Sequence, residues 1–214
     1  MKLGVLIPTR GDREKFLNHA KFLLSKQTIK PDEINIVDFK PSDNEKDITK
    51  RYRIGCEQLF NEKKCDLVVF WEDDDWYSPK YLETIKNNWI DSGKPQIIGV
   101  GKTIYYHILT KKYLIVNHPH KSSACCTAVT KDILDIKFPP DNYPYLDKEI
   151  WGQVKSKKVI NVDEFYHVGI KHGFGLVGGG GHPSDWPKYE NEDIDSSFLN
   201  SIIDEESIKF YSSL

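Results

Sequence analysis

Between Leu3 and Val100, short apolar runs alternate with stretches whose apolar residues recur at helical spacing, and this alternation limits the fold more than any other feature of the chain. Residues 3–7, 34–37, 67–71 and 97–100 are too short for buried helices and read as buried strands. Three helical stripes lie between them. Phe16, Ala20, Leu23 and Leu24 follow Asp12 as the expected cap. Ile48, Tyr52, Cys56, Leu59 and Phe60 follow Asp47. Tyr81, Leu82, Ile85 and Trp89 follow Ser78-Pro79, a cap and a first-turn proline. Successive strands joined through helices are parallel, so the pattern predicts an α/β fold with a mainly parallel, Rossmann-like sheet covered on both faces.

The second half changes character. Residues 103–109 and 113–116 read as a hairpin around Thr110-Lys111-Lys112, and residues 123–129 as a further strand. Leu146, Ile150, Trp151 and Val154 suggest a short helix, and residues 196–211 a terminal one. Residues 173–181 hold six glycines in nine positions. The chain of 214 residues is therefore expected to be one domain. Residues 1–101 would form a nucleotide-binding half, and residues 102–214 an antiparallel acceptor half with the glycine-rich loop and the last helix.

Several classes are set aside at this point. Thirty basic residues against 32 acidic give a net charge of −2, without the basic excess of a nucleic-acid groove. The four cysteines form no CxxC pair, so neither a disulfide framework nor a zinc site is indicated. The apolar run at the start is too short for a signal peptide, and no stretch reaches transmembrane length. A cytoplasmic location is expected.

The strongest chemical signal is Trp71-Glu72-Asp73-Asp74-Asp75-Trp76-Tyr77-Ser78-Pro79, at the carboxyl end of the third strand, the edge where open α/β sheets bind ligands. Adjacent carboxylates raise one another's pKa values, and a divalent cation removes that conflict. The competing reading is a solvated acidic turn, but bulky aromatics bracket the acids. In extended chain Asp73 and Asp75 would point one way and Asp74 the other.

This segment resembles the DxD region of GT-A-fold glycosyltransferases, especially those similar to family 2. The Ile7-Pro8-Thr9 turn resembles their first nucleotide-contacting loop, and Ile36-Val37-Asp38 their second strand. The likeness covers residues 3–90 well and the remainder loosely. The chain departs from the pattern at Phe39-Lys40-Pro41, where many relatives have Asp-Gly-Ser, and at Arg51-Tyr52-Arg53-Ile54-Gly55, where the arginine is displaced. The short chain is also similar, more weakly, to the glycosyltransferase domains of large algal viruses, so it could be virus-encoded or a domain of a longer protein.

The resemblance implies transfer of a hexosyl or deoxyhexosyl group from a nucleotide-diphosphate sugar to a glycan or protein-linked acceptor, with Mn²⁺ or Mg²⁺. It places Asp73 and Asp75 on the metal, with Asp73 and Asp74 also near the nucleotide. Pro8, Thr9, Arg10, Asp38 and Arg53 would contact the nucleotide. A carboxylate at Asp38 accepts a hydrogen bond from a ring N–H, which favours uracil, thymine or guanine over cytosine, and so a UDP-sugar among others. Asp147 matches the acid that activates the acceptor hydroxyl, with Glu149 in reserve; the alternative for Asp147 is an ordinary helix cap. A late histidine, His182 ahead of His172, would join the metal. Two rivals stand beside this reading. One is a catalytically silent module that binds sugar nucleotides or glycans. The other, sugar-1-phosphate nucleotidyltransfer, lacks the Gly-rich basic signature it needs after strand one.

Overall fold

The computed structural model describes residues 1–40, 46–143, 145–173 and 188–214. Its strands are β1 (Leu3–Pro8), β2 (Glu33–Val37), β3 (Leu67–Phe70), β4 (Trp76–Tyr77), β5 (Ile97–Val100), β6 (Lys102–His107), β7 (Lys112–Asn117), β8 (Thr127–Val129), β9 (Lys157–Ile160), β10 (His167–Lys171) and β11 (Asn191–Glu192). Its helices are α1 (Glu14–Ser25), α2 (Ile48–Glu57), α3 (Tyr81–Asp91), α4 (Leu146–Gln153), α5 (Ser197–Asn200) and α6 (Glu205–Ser212).

Six strands form the larger sheet in the order β2-β1-β3-β8-β5-β9. β1 runs parallel to β2 and β3, with Val5 opposite Ile34 and Val69, and β5 runs parallel to β9. β8 alone is antiparallel to its neighbours β3 and β5. The sheet is thus mainly parallel, as the strand–helix alternation requires. Alternate residues face opposite sides. Leu3, Val5, Ile7, Leu67, Val69 and Trp71 join α1 and α3 in one core; Leu6, Val68 and Phe70 join α2 and α4 in the other. Gly55 lets α2 lie against β1, because a methyl group there would overlap the buried Leu6 side chain.

The second sheet runs β11-β7-β6-β10-β4. β4 follows the acidic turn directly and pairs antiparallel with β10, Val168 opposite Trp76. The sheets do not respect the expected division near residue 101. β8 and β9 complete the first sheet, while β4 from the early half belongs to the second.

Several local expectations are corrected. α1 begins at Glu14 after Arg13 with no side-chain cap, and Asp12 instead pairs with Arg10. Ser78 and Pro79 lie in a turn ahead of α3, where the Ser78 N–H donates to Tyr166 O. The stretch 123–129 is a 3₁₀ turn followed by the short β8. The terminal helix is two helices, α5 and α6, the second capped by Asp204 accepting from the Ser207 N–H. β10 was not foreseen. No helix among the described residues is long and apolar enough to cross a membrane.

Candidate functional site

Parallel strands end their carboxyl edges together, so the loops after β1, β2 and β3 share one rim. Arg51 ties the first two. Its guanidinium is 1% exposed and donates to Thr9 O, to Val37 O at 3.1 Å and to Phe39 O at 2.7 Å, while pairing with Asp47 at 2.6 Å. Gly11 lets these loops approach closely; an added Cβ would sit 2.7 Å from Asp38 O. Asp38 itself is exposed at the end of β2.

The acidic turn occupies the same rim. Because Asp73 and Asp74 form a turn, the alternation expected of an extended chain fails. Asp73 accepts from the Thr9 hydroxyl and faces Arg13 at 3.3 Å. Oxygens of Glu72, Asp74 and Asp75 instead converge within 4.8 Å of one another. Asp74 Oδ2 meets Arg13 at 2.7 Å and His172 Nε2 at 3.0 Å. Asp75 lies 2.8 Å from His167 Nε2 and accepts from the Ile170 N–H at 3.0 Å. The Tyr52 hydroxyl donates to Glu72 at 3.1 Å.

The electrostatics follow from burial and crowding. Burial, then Asp75 and Asp74, push the Glu72 carboxyl up to about 8. Burial and Asp74 raise Asp73 to about 7 against the pull of Arg13 and Thr9. Burial also disfavours ionised Asp74, but Arg13 and His172 hold it well below the usual carboxylate range. Burial lowers the affinity of His167 for its proton, yet the adjoining Cys125 and Asp75 raise it overall. The three converging carboxylates raise one another's cost of ionisation, which a further cation would relieve. Hard oxygen donors of this kind suit Mg²⁺ or Mn²⁺. In a second cluster, Cys125, Cys126 and His167, both ring nitrogens of His167 already have hydrogen-bond partners, Nδ1 with Thr103 Oγ1 at 2.6 Å and Nε2 with Asp75.

The structure brings Pro8, Thr9, Asp73, Asp74 and Asp75 to one rim, with Asp38 at the end of the neighbouring strand. Other expected residues are engaged by partners of their own. Arg10 pairs with Asp12 at 3.3 Å. Arg53 pairs with Asp141 at 3.2 Å and Glu57 at 3.4 Å, so Arg51 is the arginine of α2 that organises the rim. Asp147 lies in the first turn of α4 and accepts from Lys121; Tyr145, not Asp147, is the residue before the helix. Glu149 accepts from the Tyr143 hydroxyl at 3.3 Å. His182 and most of the glycine-rich loop lie outside the described residues. Sequence reasoning missed Arg13, Glu72, His167 and Lys171 and ranked His172 second. Val168 and Ile170 alternate with His167, Gly169 and Lys171, a period-two signal that marks β10.

No protein-family model and no curated protein matches the sequence. Solved structures do. S. aureus TarS 1-349 in complex with UDP-GlcNAc aligns over 80% of this chain at 13% identity and a TM-score of 0.58. The chain spans 59% of that TarS chain. A protein from STIV aligns over 75% of this chain and 82% of its own, at 14% identity and a TM-score of 0.50. A glycosyltransferase involved in glycosylation of the major capsid of PBCV-1 aligns over 78% of this chain and 93% of its own at 13% identity; its TM-score of 0.48 is too low to carry argument. The likenesses to TarS and to the STIV protein show a shared fold, the GT-A-type α/β architecture expected from the sequence.

Proposed function

We propose that the chain is a glycosyltransferase that moves a hexosyl or deoxyhexosyl group from a nucleotide-diphosphate sugar, with a UDP-sugar favoured, to a glycan or glycoprotein acceptor. The observation that carries this reading is the convergence of Glu72, Asp74 and Asp75 on the rim that also holds Thr9 and Asp38. The complex of the TarS fold with UDP-GlcNAc supports it. In this reading Asp38 accepts from the base N–H, and the loop at Pro8 and Thr9 shapes the nucleotide's berth. Glu72, Asp74 and Asp75 would hold Mn²⁺ or Mg²⁺, which neutralises charge developing on the diphosphate. Arg13, His167 and His172 fix the orientation of the acids, as outer partners do around such sites. Asp147 takes the acceptor proton once Lys121 yields it.

The ion pair between Asp147 and Lys121 gives the rival reading its one support, since a base already engaged suits a silent binding module. A panel of UDP-, GDP-, dTDP- and CDP-sugars, each assayed for Mn²⁺-dependent hydrolysis and for binding, tests both. Consumption of one donor is expected. Binding without turnover on any donor or acceptor selects the module, and failure to bind any nucleotide refutes the site itself.

A further inference from the structure

Lys171 differs from the other basic residues around the acidic turn. Arg13, His167 and His172 each meet a carboxylate directly. Lys171 is only 8% exposed, yet its ammonium makes no hydrogen bond or ion pair with any described residue. It lies 5.0 Å from the centre of the Tyr105 ring. Burial lowers its pKa, but Asp75, Asp74 and Glu72 keep it at about 12, so it is an ammonium at neutral pH. Those are the same three acids whose oxygens converge. An ammonium on a side chain this buried, with no direct partner among the described residues, is costly unless water or a ligand completes its shell.

We infer that Lys171 is the anion-contacting residue of the site and binds the diphosphate of the donor directly. The inference rests on the nucleotide-sugar reading above. Arg13 is poorly placed for the task, because its two terminal nitrogens are engaged by Asp73 and Asp74. No described residue takes any of the three donors of Lys171, and an ammonium serves phosphate as a compact point charge. Strand β10 sets its position: pairing with β6 and β4 fixes the backbone, and the Ile170 N–H bond to Asp75 locks the register one residue away. The ammonium would then stabilise the departing diphosphate together with whatever cation the three acids hold.

The test is calorimetric titration of the full chain and its Lys171→Met, Lys171→Gln and Lys171→Arg variants with UDP, inorganic pyrophosphate and uridine. Each titration is run with Mg²⁺ and again with EDTA, and folding is checked by melting temperature. Loss of one charge-assisted contact is expected to weaken UDP and pyrophosphate about tenfold in the Met and Gln variants. Uridine affinity should stay unchanged, and Arg should restore most of the loss. A change in UDP affinity smaller than threefold in both buffers overturns the inference, as does an equal loss for uridine, which would mark a structural effect. If the unaltered chain binds none of UDP, GDP, dTDP and CDP in either buffer, the nucleotide-sugar reading fails and this inference with it; if it binds a nucleotide and the variants bind equally, only the role of Lys171 fails.

Discussion

Arg51→Met should cost far more than a surface charge change. The guanidinium is 1% exposed, donates to the carbonyls of Thr9, Val37 and Phe39, pairs with the buried side of Asp47, and lies 3.9 Å from the Phe39 ring centre. Removing one partner of a buried ion pair leaves the other charge uncompensated and costs about 3–5 kcal/mol. For a chain of this length each kcal/mol shifts the melting temperature by about 2–4 °C, so a fall of about 6–20 °C is expected. Asp47→Leu combined with Arg51→Met removes both charges, and the double variant should recover about 1–2 kcal/mol relative to Arg51→Met alone. Urea unfolding followed by circular dichroism, with thermal melts in parallel, measures both quantities. The reasoning is refuted if Arg51→Met lies within about 1 kcal/mol of the unaltered chain, or if the double variant is less stable than the single one by the full cost of Asp47→Leu. Because Thr9 and Phe39 border the rim, Arg51→Met should also weaken nucleotide binding at temperatures where it remains folded.

Other outcomes follow from named contacts. His19 is buried against Phe210 and Tyr211, and burial lowers its pKa to about 4, slightly offset by Asp204. A folded pKa below the ordinary 6.5 means that its contribution is full above pH 6.5 and is lost as pH falls toward 4. His19→Leu should therefore gain about 1–2 kcal/mol relative to the unaltered chain between pH 7.5 and pH 5, read from urea midpoints; a pH-independent difference would discard this account. Asp74→Asn should weaken Mn²⁺-supported UDP binding at least tenfold, whereas Asp73→Asn, whose oxygens face Thr9 and Arg13, should cost mainly stability; titration calorimetry showing the reverse order would move the metal site back to Asp73. Asp147→Asn should lower kcat about 10²- to 10⁴-fold with little change in donor KM, and an unchanged kcat removes Asp147 from the chemistry.

The alternation of apolar runs with helical stripes was enough to establish the α/β class, the positions of β1, β2, β3 and β5, and the location of the acidic turn at a strand's carboxyl end. Those features are local: periodicity and strand length are written within a few residues and need no partner to be read. Asp38 at the end of β2 was legible for the same reason. The composition of the site was not. Glu72, Asp74 and Asp75 converge because the chain turns at Asp73, and side-chain alternation holds only while backbone stays extended. Arg13, His167 and His172 meet the acids from 60 to 98 residues away in sequence, and Lys171 stands on the same late strand as His167. No local pattern encodes such distances. The pairing of β10 with β4, and the insertion of antiparallel β8 between β3 and β5, join strands far apart in sequence, so no local pattern announces them. Arg51 and Arg53 differ by only two positions, yet one is buried beneath the rim and the other pairs at the surface, because the packing of Gly55 on Leu6 decides which face of α2 turns inward.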